Sequence, residues 1–238
     1  MRFFEVDSYK AMSKKAADII AAQIILKPNS VLGFATGSTP IGTYCNLIEM
    51  NKNGDVDFSE VRTVNLDEYY GLDASHEQSY RYFMNDHLFN HVNIKMENTN
   101  VPDGLAKDAA AEGERYDQLI KALGGVDLQL LGIGVDGHIG FNEPADVFTA
   151  STHLVELDKS TIEANSRFFD SADEVPRQAM TMGIMSIIQA RKILMVASGT
   201  NKEEVLKSAF SGPVDPQNPA SILQLHPDVT VIFTKESY

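Results

Sequence analysis

The 238-residue chain has no tryptophan and one cysteine, Cys45. A lone cysteine cannot close an intrachain disulfide, so a disulfide-stapled scaffold is excluded and a reducing compartment is the simplest setting. Basic residues are scarce: 20 Lys and Arg against 33 Asp and Glu leave a formal charge of −13. A surface this acidic repels nucleic acid and anionic lipid at long range. It does not exclude a small anionic ligand, which a local cluster of donors can hold. No stretch approaches the ~18 apolar residues of a membrane span. Nothing after the opening MRFFEVDSYK has the apolar core of a signal peptide. There is no GxxxxGK[ST] phosphate loop, no internal repeat and no long linker. A soluble, cytoplasmic protein is expected, with one domain over residues 1–238.

What is present is an alternation of two periodicities. Helical stripes are predicted over 8–26, 40–50, 77–90, 105–123, 177–190 and 202–208. Short apolar runs at 31–35, 61–66, 126–133, 192–197 and 229–233 read as strands buried on both faces. Asn51–Val56 and Asn98–Gly104 read as turn and loop, and Gly124-Gly125 as a helix stop. The pattern predicts an α/β fold, a doubly wound and mostly parallel sheet with helices on both faces. Residues 154–180 are polar and mixed, as expected of a lid over a site.

Ligands of such sheets collect where strands end and helices begin. After the 31–35 strand stands Thr36-Gly37-Ser38-Thr39-Pro40. Gly37 permits a tight turn, Thr39 suits an N-cap and Pro40 the first helical position. Free N–H groups, hydroxyls and a positive helix end would then converge as a phosphate cradle. Asn65-Leu66-Asp67-Glu68 closes the next strand; alternation sends the two carboxylates to opposite sides, so only one can face a cleft. After the 126–133 strand comes a loop with Gly132, Gly134, Gly137 and Gly140 among Asp136, His138 and Glu143. Imidazole titrates near neutrality, and flanking carboxylates fix its tautomer and raise its basicity. These three side chains are also a conceivable divalent-metal set, but no cysteine lies near and histidines 76, 87, 91, 153 and 226 show no ligand spacing. No metal and no cofactor are expected. Arg167, in Asn165-Ser166-Arg167-Phe168-Phe169, and Lys202, after Ser198-Gly199-Thr200-Asn201, are the cations best placed to meet a phosphate. A lysine in a first helical turn is otherwise unfavourable to the helix dipole. On these residues alone the reading stops at a sugar-phosphate isomerase, hydrolase or lyase.

The runs Gly37-Ser38-Thr39-Pro40, Leu66-Asp67-Glu68-Tyr69, Asp136-Gly137-His138-Ile139-Gly140-Phe141-Asn142-Glu143-Pro144 and Asn165–Phe169 resemble, in order and over nearly the whole chain, the glucosamine-6-phosphate deaminase family. The resemblance implies a modified doubly wound fold and conversion of D-glucosamine 6-phosphate and water to D-fructose 6-phosphate and ammonia in amino-sugar catabolism. It implies that His138 opens the sugar ring, that Asp136 and Glu143 orient and tune it, and that Asp67 carries the proton from C2 to C1. Thr36, Gly37, Ser38, Thr39, Arg167, Gly199 and Lys202 would hold the phosphate, with backbone donors at Gly37 and Gly199. Two rivals stand beside it. A 6-phosphogluconolactonase has a similar Asp-Gly-His loop but does not need a carbon base at Asp67. A non-catalytic sugar-phosphate sensor would carry a DNA-binding module, for which an acidic chain of 238 residues leaves little room.

One stretch departs from the longer, hexameric members of that family, which are activated by N-acetylglucosamine 6-phosphate through basic residues after the FNEP run. His153 and Val155 stand where those have Arg and Lys, and Asp146 where they have Ser. A monomer without this activation is expected. Steady-state rates should therefore be hyperbolic in substrate and unchanged by added N-acetylglucosamine 6-phosphate; a sigmoidal curve relieved by that compound would refute it.

Overall fold

Apolar side chains on both faces of the central strands dictate two helical layers, and the computed structural model has them. It describes residues 1–158, 162, 169 and 174–235. In chain order the elements are β1 (Arg2–Glu5), α1 (Tyr9–Leu26), β2 (Val31–Phe34), α2 (Ile41–Lys52), β3 (Arg62–Asn65), β4 (Asp67–Tyr69), α3 (Tyr80–His87), β5 (Thr99–Asn100), α4 (Ala109–Ala122) and β6 (Leu128–Leu131). There follow β7 (His153–Glu156), β8 (Gln178–Thr181), α5 (Ile184–Ile188), β9 (Ile193–Ser198), α6 (Lys202–Ser211), a 3-10 helix at Pro219–Leu225 and β10 (Val229–Thr234). A seven-stranded sheet has the order β1-β10-β9-β6-β2-β3-β5, and every pair in it is parallel. The expected α/β architecture is thus present.

Strand alternation sorts the core. Val31, Val64, Leu131, Ile193, Met195 and Val231 face α4, α5 and α6, where Tyr116, Ile187 and Leu206 are buried. Leu32, Phe34, Leu130, Leu194, Val196 and Ile232 face the other way, onto Ile20 and Ile24 of α1 and Leu47 of α2. Each such burial stabilises the fold by about 1.5–3 kcal/mol before entropy is counted. Ser8 accepts from Ala11 N–H (3.1 Å) to start α1, and Asp108 accepts from Ala110 and Ala111 N–H to start α4. Gly124 and Gly125, at φ +87° and +80°, follow the end of α4 as expected. Among the described residues no helix is long and apolar enough to cross a membrane.

A second sheet was not legible in the sequence. β4, β8 and β7 form a three-stranded antiparallel layer in which Asp67 pairs with Thr181, and Thr181 also with His153. The helix expected over 177–190 is therefore corrected: Gln178–Thr181 is strand, and only Ile184–Ile188 is helical. The start of the helix is fixed by packing: a Cβ on Gly183 would lie 2.2 Å from Ala150 O and 2.3 Å from Ser151 O. The expected lid overlaps two of these paired strands, so the expectation is corrected at its ends; most of 159–173 lies outside the described residues. Short β1 and β5 were also missed, the first because all four of its residues are exposed and carry no buried pattern.

Tyr116 ties the helical layer to the strand ends. Its buried hydroxyl accepts from Asn65 N–H (2.9 Å) and donates to Asn65 O (2.8 Å), closing the end of β3. Tyr116→Phe strips both groups of that partner and should cost about 1–3 kcal/mol in urea unfolding. A change under about 0.5 kcal/mol would show that Asn65 is satisfied otherwise.

Candidate active site

Strands β9, β6, β2 and β3 are parallel neighbours, so the loops that follow them emerge side by side at one edge of the sheet. The chain runs outward from β2 through β3 to β5, then returns to lay β6 on the other side of β2. The β2/β6 boundary is the topological switch point, where a crevice opens. The described residues expected to hold phosphate or move protons lie on these four junctions.

At the β2 junction Gly37 has φ +94° with open space around its Cα, so glycine is needed there for conformation rather than for room. The carbonyls of Ser38 and Thr39 turn toward the Tyr9 hydroxyl of α1 (3.2 and 3.0 Å), which also accepts from Gly42 N–H (2.8 Å). The N–H groups of residues 37–39 have no partner among the described residues. Thr39 is not the N-cap: Pro40 takes that position at φ −80°, ψ −9°, and no side chain caps α2. The correction follows from Ile41 N–H bonding back to Ser38 O (3.3 Å), which winds Thr39 and Pro40 into a turn before the helix begins. The cradle is uncapped at the end of a 12-residue helix.

At the β6 junction Nδ1 of His138 lies 2.8 Å from Asp136 Oδ1 and 3.2 Å from Glu143 Oε2. These are ion-pair contacts, since the ring N–H aligns with neither oxygen as a hydrogen bond. A Cβ on Gly134 would fall 2.3 Å from His138 Nδ1 and 2.6 Å from Asp136 Oδ1, so this glycine is the space the pair occupies. Burial alone would lower the His138 pKa; the two carboxylates override it and raise it to about 9. For Asp136, burial pushes up, but the imidazolium holds its carboxyl well below the ordinary range. No described residue bonds to His138 Nε2, which is left for a ligand. From the β9 junction, Lys202 reaches back to donate to Ile133 O (2.7 Å); burial lowers its pKa and Asp136 opposes that.

At the β3 junction the two adjacent carboxylates separate as alternation requires. Glu68 turns away from the cleft and accepts from Tyr69, Tyr80 and Arg81 N–H (2.9, 2.8 and 2.9 Å). Asp67 is buried, yet its carboxylate has no hydrogen-bond partner among the described residues. Burial first, then the Glu68 charge, raises its pKa to about 8, while His138 lowers it. Its Oδ2 lies against Gly140: a Cβ there would be 3.5 Å away. Thr181, opposite Asp67 in the ladder, accepts from Phe141 N–H (3.0 Å), and Asn142 donates to Ile139 O and Met182 O (both 2.9 Å). Strand β8 thus clamps the His138 loop beside Asp67.

Thr36, Gly37, Ser38, Thr39, Asp67, Asp136, His138, Glu143, Gly199 and Lys202 therefore share one edge of the sheet. Arg167 lies outside the described residues. The donor role expected of Gly199 is corrected: its N–H is spent on Thr234 O (3.0 Å), and the residue supplies the φ +115° turn between β9 and α6. Sequence reading missed Thr181, Asn142 and Tyr116, which are distant along the chain. It counted Gly134 among the costly glycines without seeing the room it gives the pair. Ligand atoms of Asp136, His138 and Glu143 lie within 4.8 Å of one another, the one such cluster among the described residues. A metal there would have to displace the proton that the two carboxylates stabilise on His138.

A family model described as "Glucosamine-6-phosphate isomerases/6-phosphogluconolactonase" matches residues 6–232. The chain belongs to this family. It is 61% identical over 232 residues to a glucosamine-6-phosphate deaminase of Lachnoclostridium phytofermentans, covering 98% of each chain. It is 45% identical to a solved monomeric glucosamine-6-phosphate deaminase, with a TM-score of 0.96 over 99% of this chain and 98% of the other. A 6-phosphogluconolactonase of Shewanella baltica shares the fold at 20% identity, with a TM-score of 0.75 over 98% of this chain and 97% of that one. Family membership makes the titration of His138 the first property of the site to measure. By NMR its ring should titrate near 9, and Asp136→Asn should lower that by about one unit or more, because an opposite charge favours the protonated form. A wild-type value near 6.5 would show that the two carboxylates do not act on it.

Proposed function

We propose that this chain converts D-glucosamine 6-phosphate and water to D-fructose 6-phosphate and ammonia. The supporting observation is that two proton-handling groups, unpaired Asp67 and carboxylate-bound His138, flank one crevice from separate strand ends. The C2 proton is acidic enough to remove only in the open-chain aldehyde, so the reaction needs a ring opener and a carbon base in one site. His138, protonated at rest, gives its Nε2 proton to the ring oxygen and recovers one from the C1 hydroxyl, with Asp136 and Glu143 steadying the cation. Asp67 takes the C2 proton and returns it at C1, while one proton of the substrate ammonium passes to O1, leaving an iminium at C2. Water adds there and ammonia departs. The phosphate rests on the 37–39 N–H groups and the Ser38 and Thr39 hydroxyls, beside Thr36 and with Lys202 near; Arg167 completes the set. The chain works as one monomeric domain in the cytoplasm, and no cofactor enters these steps.

Ammonia and fructose 6-phosphate should form in equal amounts in buffer containing EDTA. If neither forms with folded protein, hydrolysis of 6-phosphogluconolactone becomes the reading and the role of Asp67 falls. Asp67 must be ionised to act and His138 protonated. kcat/KM should therefore rise with pH through about 8 and fall again through about 9, giving a mildly alkaline optimum. Asp67→Asn should lower kcat by about 10³-fold while fructose 6-phosphate binding changes by less than about threefold. Matching losses of affinity and turnover would instead give Asp67 a structural role.

A further inference from the structure

Glu68 is a buried carboxylate that the mechanism above does not use. Among the described residues, three backbone N–H groups donate to it: Tyr69 on its own strand, and Tyr80 and Arg81 in the first turn of α3. Ser79 caps the same helix by accepting from Tyr82 N–H (3.0 Å). Glu68 thus duplicates part of a cap that already exists, and does so with a full charge placed next to Asp67 along the chain. An amide-accepting group with no charge would hold the strand to the helix at lower desolvation cost. Burial raises the Glu68 pKa to about 7 against these N–H groups, so the carboxylate is charged over the alkaline range in which Asp67 titrates.

The titratable and charged groups around the Asp67–Glu68 pair come from five elements. Arg81 and Tyr80 face it from α3, Tyr69 from β4, Tyr44 from α2, Tyr116 from α4, and His138 from the loop after β6. Burial raises the pKa of Tyr44, Tyr80 and Tyr116 above the ordinary value, so these phenols stay neutral. Arg81 and His138 are positive. Glu68 is therefore the single negative group among these neighbours that can act on Asp67.

We propose that Glu68 is a positioning residue of this site: docked on the start of α3, its carboxylate holds β4 so that Asp67 faces the crevice, and its charge makes Asp67 a stronger base. The claim rests on Asp67 being the carbon base. Without the neighbouring charge, a buried aspartate would surrender its proton more readily and take one from C2 less well. The like charge next door supplies basicity without any contact to substrate.

The test is the pH profile of Glu68→Gln, which is nearly isosteric. The acid limb of kcat/KM should move about one pH unit toward acid, and kcat on the plateau should drop about threefold, with KM little changed. An unmoved limb overturns the proposal. Ser79→Ala removes the other cap at the same helix start without changing charge; it should lower Tm and leave the limb in place. An equal limb shift in that variant would reduce Glu68 to a structural anchor. Should Glu68→Gln fail to fold, Asp67→Asn answers from the other side. Coupling is reciprocal, so the Glu68 carboxyl, followed by carbon-13 NMR, should titrate at lower pH in Asp67→Asn than in the wild type. No difference overturns the proposal. Failure of the underlying reading looks different, since Asp67→Asn would then retain turnover.

Discussion

The site depends on the close approach of β2 to β6. Their ladder is brief, pairing Leu32 with Leu128 and Gly33 with Gln129. A Cβ on Gly33 would lie 1.9 Å from the Gln129 side-chain oxygen, so the glycine is the space that the buried Gln129 amide occupies over this ladder. This is the boundary where the sheet reverses its direction of growth. The turn at residues 36–40 and the histidine loop are the two lips of the crevice it creates, and their separation is set by this ladder in the core.

Electrostatics within the crevice follow from what each carboxylate is given to hold. Asp136 and Glu143 face a ring that can carry a proton, so burial is offset by an ion pair. Glu68 faces three N–H dipoles. Asp67 faces none of these, and burial with a like charge beside it keeps its affinity for a proton high. Burial and a like charge drive Asp67 up from far below, and the two carboxylates drive His138 up from below against its burial, into one narrow pH range.

The main sheet was legible because its strands are apolar on both faces, a pattern that helices and loops of this chain do not share. Val31–Phe34, Ile193–Ser198 and Val229–Thr234 were all read within a residue or two at each end. The small antiparallel sheet was hidden because β8, Gln178–Thr181, runs into the apolar residues of α5, and their combined spacing imitates one helix. The site residues at the β2, β3 and β6 junctions were legible from residue type and position alone. What holds them was not. Tyr116, Thr181 and Asn142 act across 40 to 51 positions of sequence, through single hydroxyls and amides that carry no local signature.

The hydroxyl of Thr181 has a consequence beyond holding a turn. Its strand pairs with the strand of Asp67, while its oxygen receives the N–H of Phe141 in the loop of His138. Asp67 and His138, the proposed carbon base and ring-opening acid, are therefore mounted on one shared fastening and not on two independent supports. A shift of β8 that improved the reach of one would displace the other, so the two chemical steps cannot be optimised separately by moving the backbone here. Change in this enzyme is channelled instead toward the charges around each group, which alter the strength of acid and base while leaving their spacing untouched.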